Sequence, residues 1–431
     1  MMLSYVDRLA RRLVTKKFEG LRGGWISLEE PGGRTRLGAD GPRAATLMVR
    51  SGAFYRRAVL GGSLGAAESY LRGEWDCDDL TGLFRLMARH ETSAQALEGR
   101  WTRIAWLGQR LRHALRANTR AGSRRNIHEH YDLGNEFFGL WLDDTWAYSS
   151  GIFPAPGATL REASLEKFDR VCRRLHLQPR DHLLEIGCGW GGLAIHAAKH
   201  YGCRVTATTI SAEQFALAAR RIAAAGLGDR ITLLDRDYRD LSGQFDKVAS
   251  IEMIEAVGHR YLDGFFRQVG ALLKPEGSVV LQAIVMPEYR YQQYLHSVDF
   301  IRRYVFPGGS LPSAAALLDS AGRTTRLRLA HSEDFAPHYA ETLRRWRSNF
   351  HRHLAEVRSL GYDERFLRLW DYYLCYCEAA FEERAVGVVQ MQLDNWQCRR
   401  NPLEVGLAAV PAPNCQPNIR PCVSPWETCR A

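Results

Sequence analysis

Leu183-Leu184-Glu185-Ile186-Gly187-Cys188-Gly189-Trp190-Gly191-Gly192 is the stretch whose reading decides the fold. An apolar run meets an acid, glycines follow at 187, 189, 191 and 192, and Leu193–Ala198 continues as a helix. Strand, glycine turn and helix in that order shape a site for a nucleotide-like cofactor. Glycine lets the backbone turn sharply and approach a ligand, and the first N–H groups of the helix are free to meet it.

Outward from this turn the chain alternates strand and helix. A helix is expected near Leu165–Leu175 and a strand over His182–Ile186. Arg204–Thr209 reads as a second strand, followed by a helix capped by Ser211 and running through Ala224. Further strands are expected at Ile231–Leu234, Phe245–Ile251 and, after Pro275-Glu276-Gly277, Ser278–Ile284. Such alternation predicts an α/β fold with a parallel, doubly wound sheet of the Rossmann-like kind. Residues 290–400 read as mainly helical and rich in aromatics.

The flanks differ in composition. Residues 1–95 predict a smaller α+β domain, with strands at Trp25–Leu28 and Ala45–Val49, a turn at Gly61-Gly62 entering a helix, and a helix opening at Asp79-Leu80. Residues 96–128 read as a basic linker. Positions 101–128 hold seven arginines (Arg103, Arg110, Arg112, Arg116, Arg120, Arg124, Arg125) and no acid, with Ile104, Leu107, Leu111 and Leu115 at helical spacing. A basic helix with an apolar stripe suits an anionic bilayer surface, at about 1 kcal/mol per nearby cation, and equally suits a linker packed on its own domain. The cofactor domain is expected over 129–400. The Pro-rich tail over 401–431, with scattered Cys, Asn and Ser, predicts disorder.

With 431 residues, 46% apolar and 25% charged, the chain should hold more than one core. No apolar run is long enough for a spanning helix, and Met1–Lys17 lacks the apolar centre of a signal peptide, which predicts a cytoplasmic protein. The ten cysteines are scattered without a paired C-x-x-C set, so neither a metal site nor a disulfide framework is expected. A net charge of +10 suits nucleic acid, anionic lipid or solubility alike, but no nucleic-acid module is recognisable.

The glycine spacing alone admits either a nicotinamide dinucleotide or S-adenosylmethionine. A dinucleotide site wants an acid at the end of the second strand for the ribose, and here that strand ends Thr208-Thr209-Ile210. Glu185, two residues before the first glycine, suits a cofactor that brings an ammonium group to the turn, as S-adenosylmethionine does. Asp237-Tyr238 after the third strand is placed to take the adenine by hydrogen bond and stacking.

Several ordered motifs share a further likeness. They are His130-Tyr131-Asp132-Leu133-Gly134-Asn135, Tyr148-Ser149, Gly187–Gly192, Thr209-Ile210-Ser211-Ala212-Glu213-Gln214, Asp237-Tyr238-Arg239-Asp240, Glu255-Ala256-Val257-Gly258-His259 and Tyr304-Val305-Phe306-Pro307-Gly308-Gly309. In these the chain resembles the cyclopropane-fatty-acyl-phospholipid synthase family, with its mycolic-acid relatives, over about residues 45–395. The resemblance implies a class I methyltransferase that carries the methyl of S-adenosylmethionine onto a cis double bond of a phospholipid acyl chain. The resulting carbocation closes to a cyclopropane when a bound bicarbonate takes a proton. It implies cofactor contacts at Tyr148, Ser149, Gly187, Gly189, Gly191, Thr209, Gln214 and Tyr238, beside Glu185 and Asp237 read above. It implies a bicarbonate site made by Glu255, Tyr339 and the backbone of Ile284, with rings such as Tyr304 or Phe306 facing the cation.

Two positions depart from the family. Ser150 stands where cysteine is common and Gln282 where histidine is common. An amide cannot relay a proton as an imidazole can. Ring closure is therefore expected beside two alternatives, a methyl-branched lipid product or a different small-molecule acceptor. The expected setting is the inner face of the membrane, with the bilayer surface as partner and a homodimer as an open possibility.

Overall fold

The computed structural model describes residues 4–90 and 133–399. The arginine-rich linker, the His130-Tyr131-Asp132 part of its neighbouring motif and the tail expected to be disordered lie outside these residues.

Residues 4–90 build a four-stranded sheet with three helices. Its strands are β1 (Gly24–Glu30), β2 (Gly33–Ala39), β3 (Arg43–Val49) and β4 (Trp75–Cys77), in the order β2-β1-β3-β4. The first helix, Tyr5–Glu19, is set by a reciprocal cap. The Ser4 hydroxyl oxygen accepts from Asp7 N–H, and the Asp7 carboxylate accepts from Ser4 N–H. The helix over Ala53–Leu71 already begins before Gly61, so the turn expected there is instead a break inside the helix. Gly62 sits at φ 59°, ψ −139°, a conformation open to glycine. The third helix, Leu80–Arg89, starts on Asp79, whose carboxylate accepts from Gly82 N–H.

The second sheet has seven strands: β5 (His182–Ile186), β6 (Arg204–Thr209), β7 (Ile231–Asp235), β8 (Phe245–Ile251), β9 (Leu273–Val285), β10 (Arg328–Asp334) and β11 (Gly387–Asp394), in the order β10-β11-β9-β8-β5-β6-β7. Strands β5 to β9 are parallel and doubly wound, as the alternation predicts. Strands β10 and β11 correct the expectation of a wholly parallel sheet, within a 290–400 segment that is mainly helical as expected. Strand β11 runs antiparallel to both neighbours, and both faces of Val388–Leu393 are buried. Its two glutamines mask a strand pattern: Gln390 is fully buried because its amide donates to Gln282 Oε1 at 3.2 Å. Strand β9 also begins earlier than expected, running through Pro275-Glu276-Gly277. A Cβ on Gly277 would lie 2.8 Å from the Asp246 carbonyl oxygen. The helix before β5 starts at Leu160, on a capping box between Thr159 and Glu162.

The two parts share a wall. Helix Leu80–Arg89 packs on helix Glu364–Glu382, where Thr81 and Arg85 reach Glu378 and Glu383. Arg368 donates to the carbonyls of Tyr70 and Trp75 at 2.6 and 2.7 Å. Between helix Glu364–Glu382, helix Ala336–Arg352 and the short helix Gly134–Gly139 lies a fully buried aromatic block of Phe137, Phe138, Trp141, Trp346, Phe350 and Trp370. Such rings supply the largest apolar burial available per residue and leave the cavity beside them little freedom to collapse. No helix among the described residues is long and apolar enough to cross a membrane.

Candidate active site

The site lies at the carboxyl ends of β5, β6 and β8, where a doubly wound sheet leaves its crevice. Gly187 (φ 83°), Gly189 (φ 54°) and Gly191 (φ 82°) carry the chain from β5 into helix Gly192–Tyr201. A Cβ on Gly187 would lie 2.5 Å from Met253 Cγ, whereas one on Gly189 meets no atom within 4 Å and projects into open space. Glu185, only 3% exposed, has a carboxyl oxygen with no partner among the described residues. Burial, opposed by the charge of Lys167, pushes its pKa up to about 8. A buried acid with one oxygen unpartnered, beside a glycine cradle, fits the ammonium end of S-adenosylmethionine.

The other expected cofactor residues line the same cavity. Tyr148 OH and Tyr373 OH share a hydrogen bond of 2.9 Å. Ser149 Oγ accepts from Lys167 Nζ at 2.6 Å. Thr209 Oγ1 donates to Gln214 Oε1 at 2.8 Å at the start of the helix capped by Ser211. Asp237 does not stand free: both its oxygens are held by Arg239, at 2.7 and 2.8 Å. Tyr238 packs edge-on against Phe265.

The residues expected to hold bicarbonate come together, but around a different centre. Ile284 N–H donates to Glu255 Oε1 at 2.6 Å. Tyr339 OH donates not to Glu255 but to Glu252 Oε2, at 2.7 Å. Gln282 Nε2 and Ser150 N–H both donate to Glu252 Oε1, at 2.7 and 2.9 Å. The Ser150 hydroxyl turns away to its neighbour, Gly151 O. The departure at Ser150 thus changes no donor, since the backbone supplies it. The departure at Gln282 supplies a donor aimed at Glu252. These residues do not fit bicarbonate in the way the resemblance implies, because a protein carboxylate already takes their hydrogen bonds.

Two site residues escaped the sequence reading. Glu252 follows β8 directly at φ 50°, a backbone costing a side-chain-bearing residue roughly 1–2 kcal/mol. An acid at the carboxyl end of a parallel strand was its only signal. Lys167 falls in helix Leu160–Leu175 on the face of Leu160, Ala163 and Val171, and a lysine on an apolar stripe marks a buried charge. Its ammonium is held down to about 8 by burial, against the pull of Glu252, Asp143 and Glu185. Burial also raises the pKa of Glu252, opposed by Gln282, Lys167, Tyr339 and Ser150 N–H. Burial and then the charge of Glu252 push Glu255 up to about 8. Three donors converge on Glu252 and one on Glu255, and this difference favours the charge on Glu252 and the proton on Glu255.

Of the two rings expected at the cation, Phe306 faces the cavity. Tyr304 does not: its hydroxyl donates to Glu68 at 2.5 Å, and it is absent from the lining. The cavity itself holds about 950 Å³ and continues from the glycine turn past Glu252 and Glu255 to Val14, Phe54, Leu83, Phe84 and Met87 of the amino-terminal sheet and helices.

Comparison with known proteins identifies the family. The family model described as mycolic acid cyclopropane synthetase matches residues 118–391, more than half of the chain. Tuberculostearic acid methyltransferase UfaA1 of Mycobacterium tuberculosis is 40% identical over 367 residues, covering 83% of this chain and 85% of that protein. The cyclopropane-fatty-acyl-phospholipid synthase of Escherichia coli is 35% identical over 360 residues, covering 83% and 90%. Among solved structures, the mycolic acid cyclopropane synthase CmaA1, complexed with SAH and CTAB, superposes with a TM-score of 0.59 at 28% identity, over 63% of this chain and 98% of that one. The cyclopropane synthase MmaA2 from Mycobacterium tuberculosis gives 0.60 at 28% identity over the same shares. The chain therefore belongs to the mycolic acid cyclopropane synthetase family and is an S-adenosylmethionine-dependent methyltransferase.

Proposed function

We propose that the chain transfers a one-carbon unit from S-adenosylmethionine to the cis double bond of an unsaturated phospholipid acyl chain and closes it to a cyclopropane. One observation carries this reading. A single cavity joins a polar glycine cradle to an apolar passage lined by Val14, Phe54, Leu83, Phe84 and Met87. Its volume of about 950 Å³ is near the top of the range usual for ligand sites, about 300–1,000 Å³. A polar cofactor and a long apolar chain need such a two-natured space.

When bound, S-adenosylmethionine supplies an electrophilic methyl group. The chain's residues do the rest. The unpartnered oxygen of Glu185 takes the ammonium, Gly187 and Gly189 let the backbone approach, and Thr209, Gln214 and Tyr238 line the path for the remainder. An alkene is a weak nucleophile, so the passage must hold it in line with the methyl and exclude water that would trap a cation. The rings of Phe306, Tyr148 and Tyr339 line that volume and present negative faces to a developing positive charge. The substrate sits in a bilayer, and the arginine-rich 101–128 segment is our candidate for docking on its anionic inner face.

A methyl-branched acyl product is the second reading, favoured by the 40% identity to a tuberculostearic acid methyltransferase. Labelled S-adenosylmethionine, incubated with the enzyme and either unsaturated phospholipid vesicles or RNA, tests the proposal. Label is expected in lipid acyl chains only. Proton NMR of the released esters separates ring from branch, and label confined to RNA or to water-soluble products rejects the reading.

A further inference from the structure

We infer that the carboxylate of Glu252 takes the place of the bicarbonate ion and is itself the base that removes the proton at ring closure. The inference rests on the acyl-chain reading above and names a catalytic group within it.

Three observations carry it. First, the donor set is already used. Tyr339 OH, expected at a free anion, and Gln282 Nε2 and Ser150 N–H, at the two positions that depart from the family, converge on the two oxygens of Glu252 at 2.7, 2.7 and 2.9 Å. Three donors in one pocket leave no separate acceptor role for a second small anion. Second, the arrangement is built into the sheet. Ile251 pairs with Gln282 in the β8–β9 register, and Glu252 N–H donates to the Gln282 carbonyl at 2.8 Å. The amide that replaces a histidine is thereby set directly over the acid it serves. An imidazole could exchange a proton with a mobile anion; a glutamine amide cannot take up a proton, and its N–H is free to donate to a fixed carboxylate while its oxygen accepts from Gln390. Third, the backbone of Glu252 is held at φ 50°, and its side chain lines the cavity beside Met253, the residue that touches the glycine turn. Strain of this kind persists where a side chain must be aimed.

The step balances without any added ion. The alkene π pair forms the new carbon–carbon bond to the methyl carbon, and the carbon–sulfur pair returns to sulfur. The neighbouring carbon becomes cationic. A C–H bond of the transferred methyl then breaks, its proton passes to Glu252, and its electron pair forms the third side of the ring. One positive charge enters with the cofactor and one negative charge with Glu252, and both are gone at the end. The proton stays on Glu252 until the product leaves and the cavity is open to water. Lys167, Glu255, Tyr339 and Tyr373 are the titratable groups around this carboxylate. Lys167 and Tyr339 favour its charged form, while Glu255 keeps its own proton.

The test uses the full-length enzyme in carbon-dioxide-free buffer, with and without added bicarbonate, with wild type, Glu252→Gln and Glu252→Gly. Wild-type transfer to lipid should be unchanged by bicarbonate. Glu252→Gln should lose roughly 10²–10⁴ in turnover, the usual worth of a positioned base, with binding of S-adenosylhomocysteine retained. Glu252→Gly relieves the backbone strain and frees the three donors, so added bicarbonate should restore part of its activity. Binding of carbon-13 bicarbonate, followed by NMR, gives a readout apart from turnover: none in wild type, saturable in Glu252→Gly. A wild type that binds bicarbonate or needs it for lipid labelling overturns the inference while leaving the acyl-chain reading intact. An active Glu252→Gln does the same. A wild type that labels no lipid under any condition instead rejects the acyl-chain reading and this inference with it.

Discussion

Gly187→Ala and Gly189→Ala should fail in opposite ways, although both glycines lie in one turn and both have positive φ. At Gly187 the new methyl would lie 2.5 Å from Met253 Cγ and 2.8 Å from Met253 Cβ. The left-handed backbone costs an alanine about 1–2 kcal/mol, and displacing a packed methionine adds about 1–3 kcal/mol. The sum is about 2–5 kcal/mol of stability, with Met253 pushed against its neighbours Glu252 and Ile254. At Gly189 the backbone cost of about 1–2 kcal/mol remains, but no protein atom lies within 4 Å of the new methyl. Its penalty falls on the ligand, because the methyl enters the space in which the cofactor would lie. Urea unfolding and calorimetric titration with S-adenosylhomocysteine, run on both variants, separate the two. Gly187→Ala should lose more stability, and Gly189→Ala more affinity per unit of stability lost, by about tenfold or 1.4 kcal/mol. Wild-type affinity in Gly189→Ala would show that the cofactor does not approach the turn there and would refute the placement.

Glu255→Gln should flatten part of the pH dependence of stability. The folded chain holds this carboxyl at about 8 against 4.5 for the free group, so its contribution is complete below about 4.5 and drains away as the pH climbs to about 8. Thermal melts from acid to mildly alkaline pH should show a shallower slope in the variant, and an unchanged slope would count against the assignment. Lys167→Met removes a buried cation that favours the charged forms of Glu252 and Glu185. The acidic limb of the pH–rate profile should move upward, by about tenfold in rate at neutral pH for each unit of displacement, and an unmoved limb would exclude that role. Reversing Arg110, Arg112 and Arg116 to glutamate should weaken sedimentation with anionic vesicles by about 1 kcal/mol or more per charge at low salt; equal binding at high salt by wild type would remove the electrostatic account.

The fold was legible because its decisive signals are local. Glycines at 187, 189 and 191 sit where φ is positive, and Ser211 caps the helix that its position announces. Strand β10 was not legible because it is exposed along nearly its whole length and offers no alternating apolar face, and β11 because its periodicity is overridden by a tertiary fact. Gln390 and Gln392 are polar by type yet buried, and Gln390 is buried because its amide finds Gln282 on the neighbouring strand, 108 residues away in sequence. The same separation explains the site. Reading along the chain assigns Tyr339 to an anion by likeness and leaves Gln282 as a departure from the family, since nothing local says which acid they meet. Only the β8–β9 register puts Gln282 over Glu252, and only the packing of helix Ala336–Arg352 brings the Tyr339 hydroxyl to the same carboxylate. A replaced histidine looks, in one dimension, like a damaged proton relay. In three dimensions it is half of a pair: an amide that cannot accept a proton, and an acid that no longer needs it to.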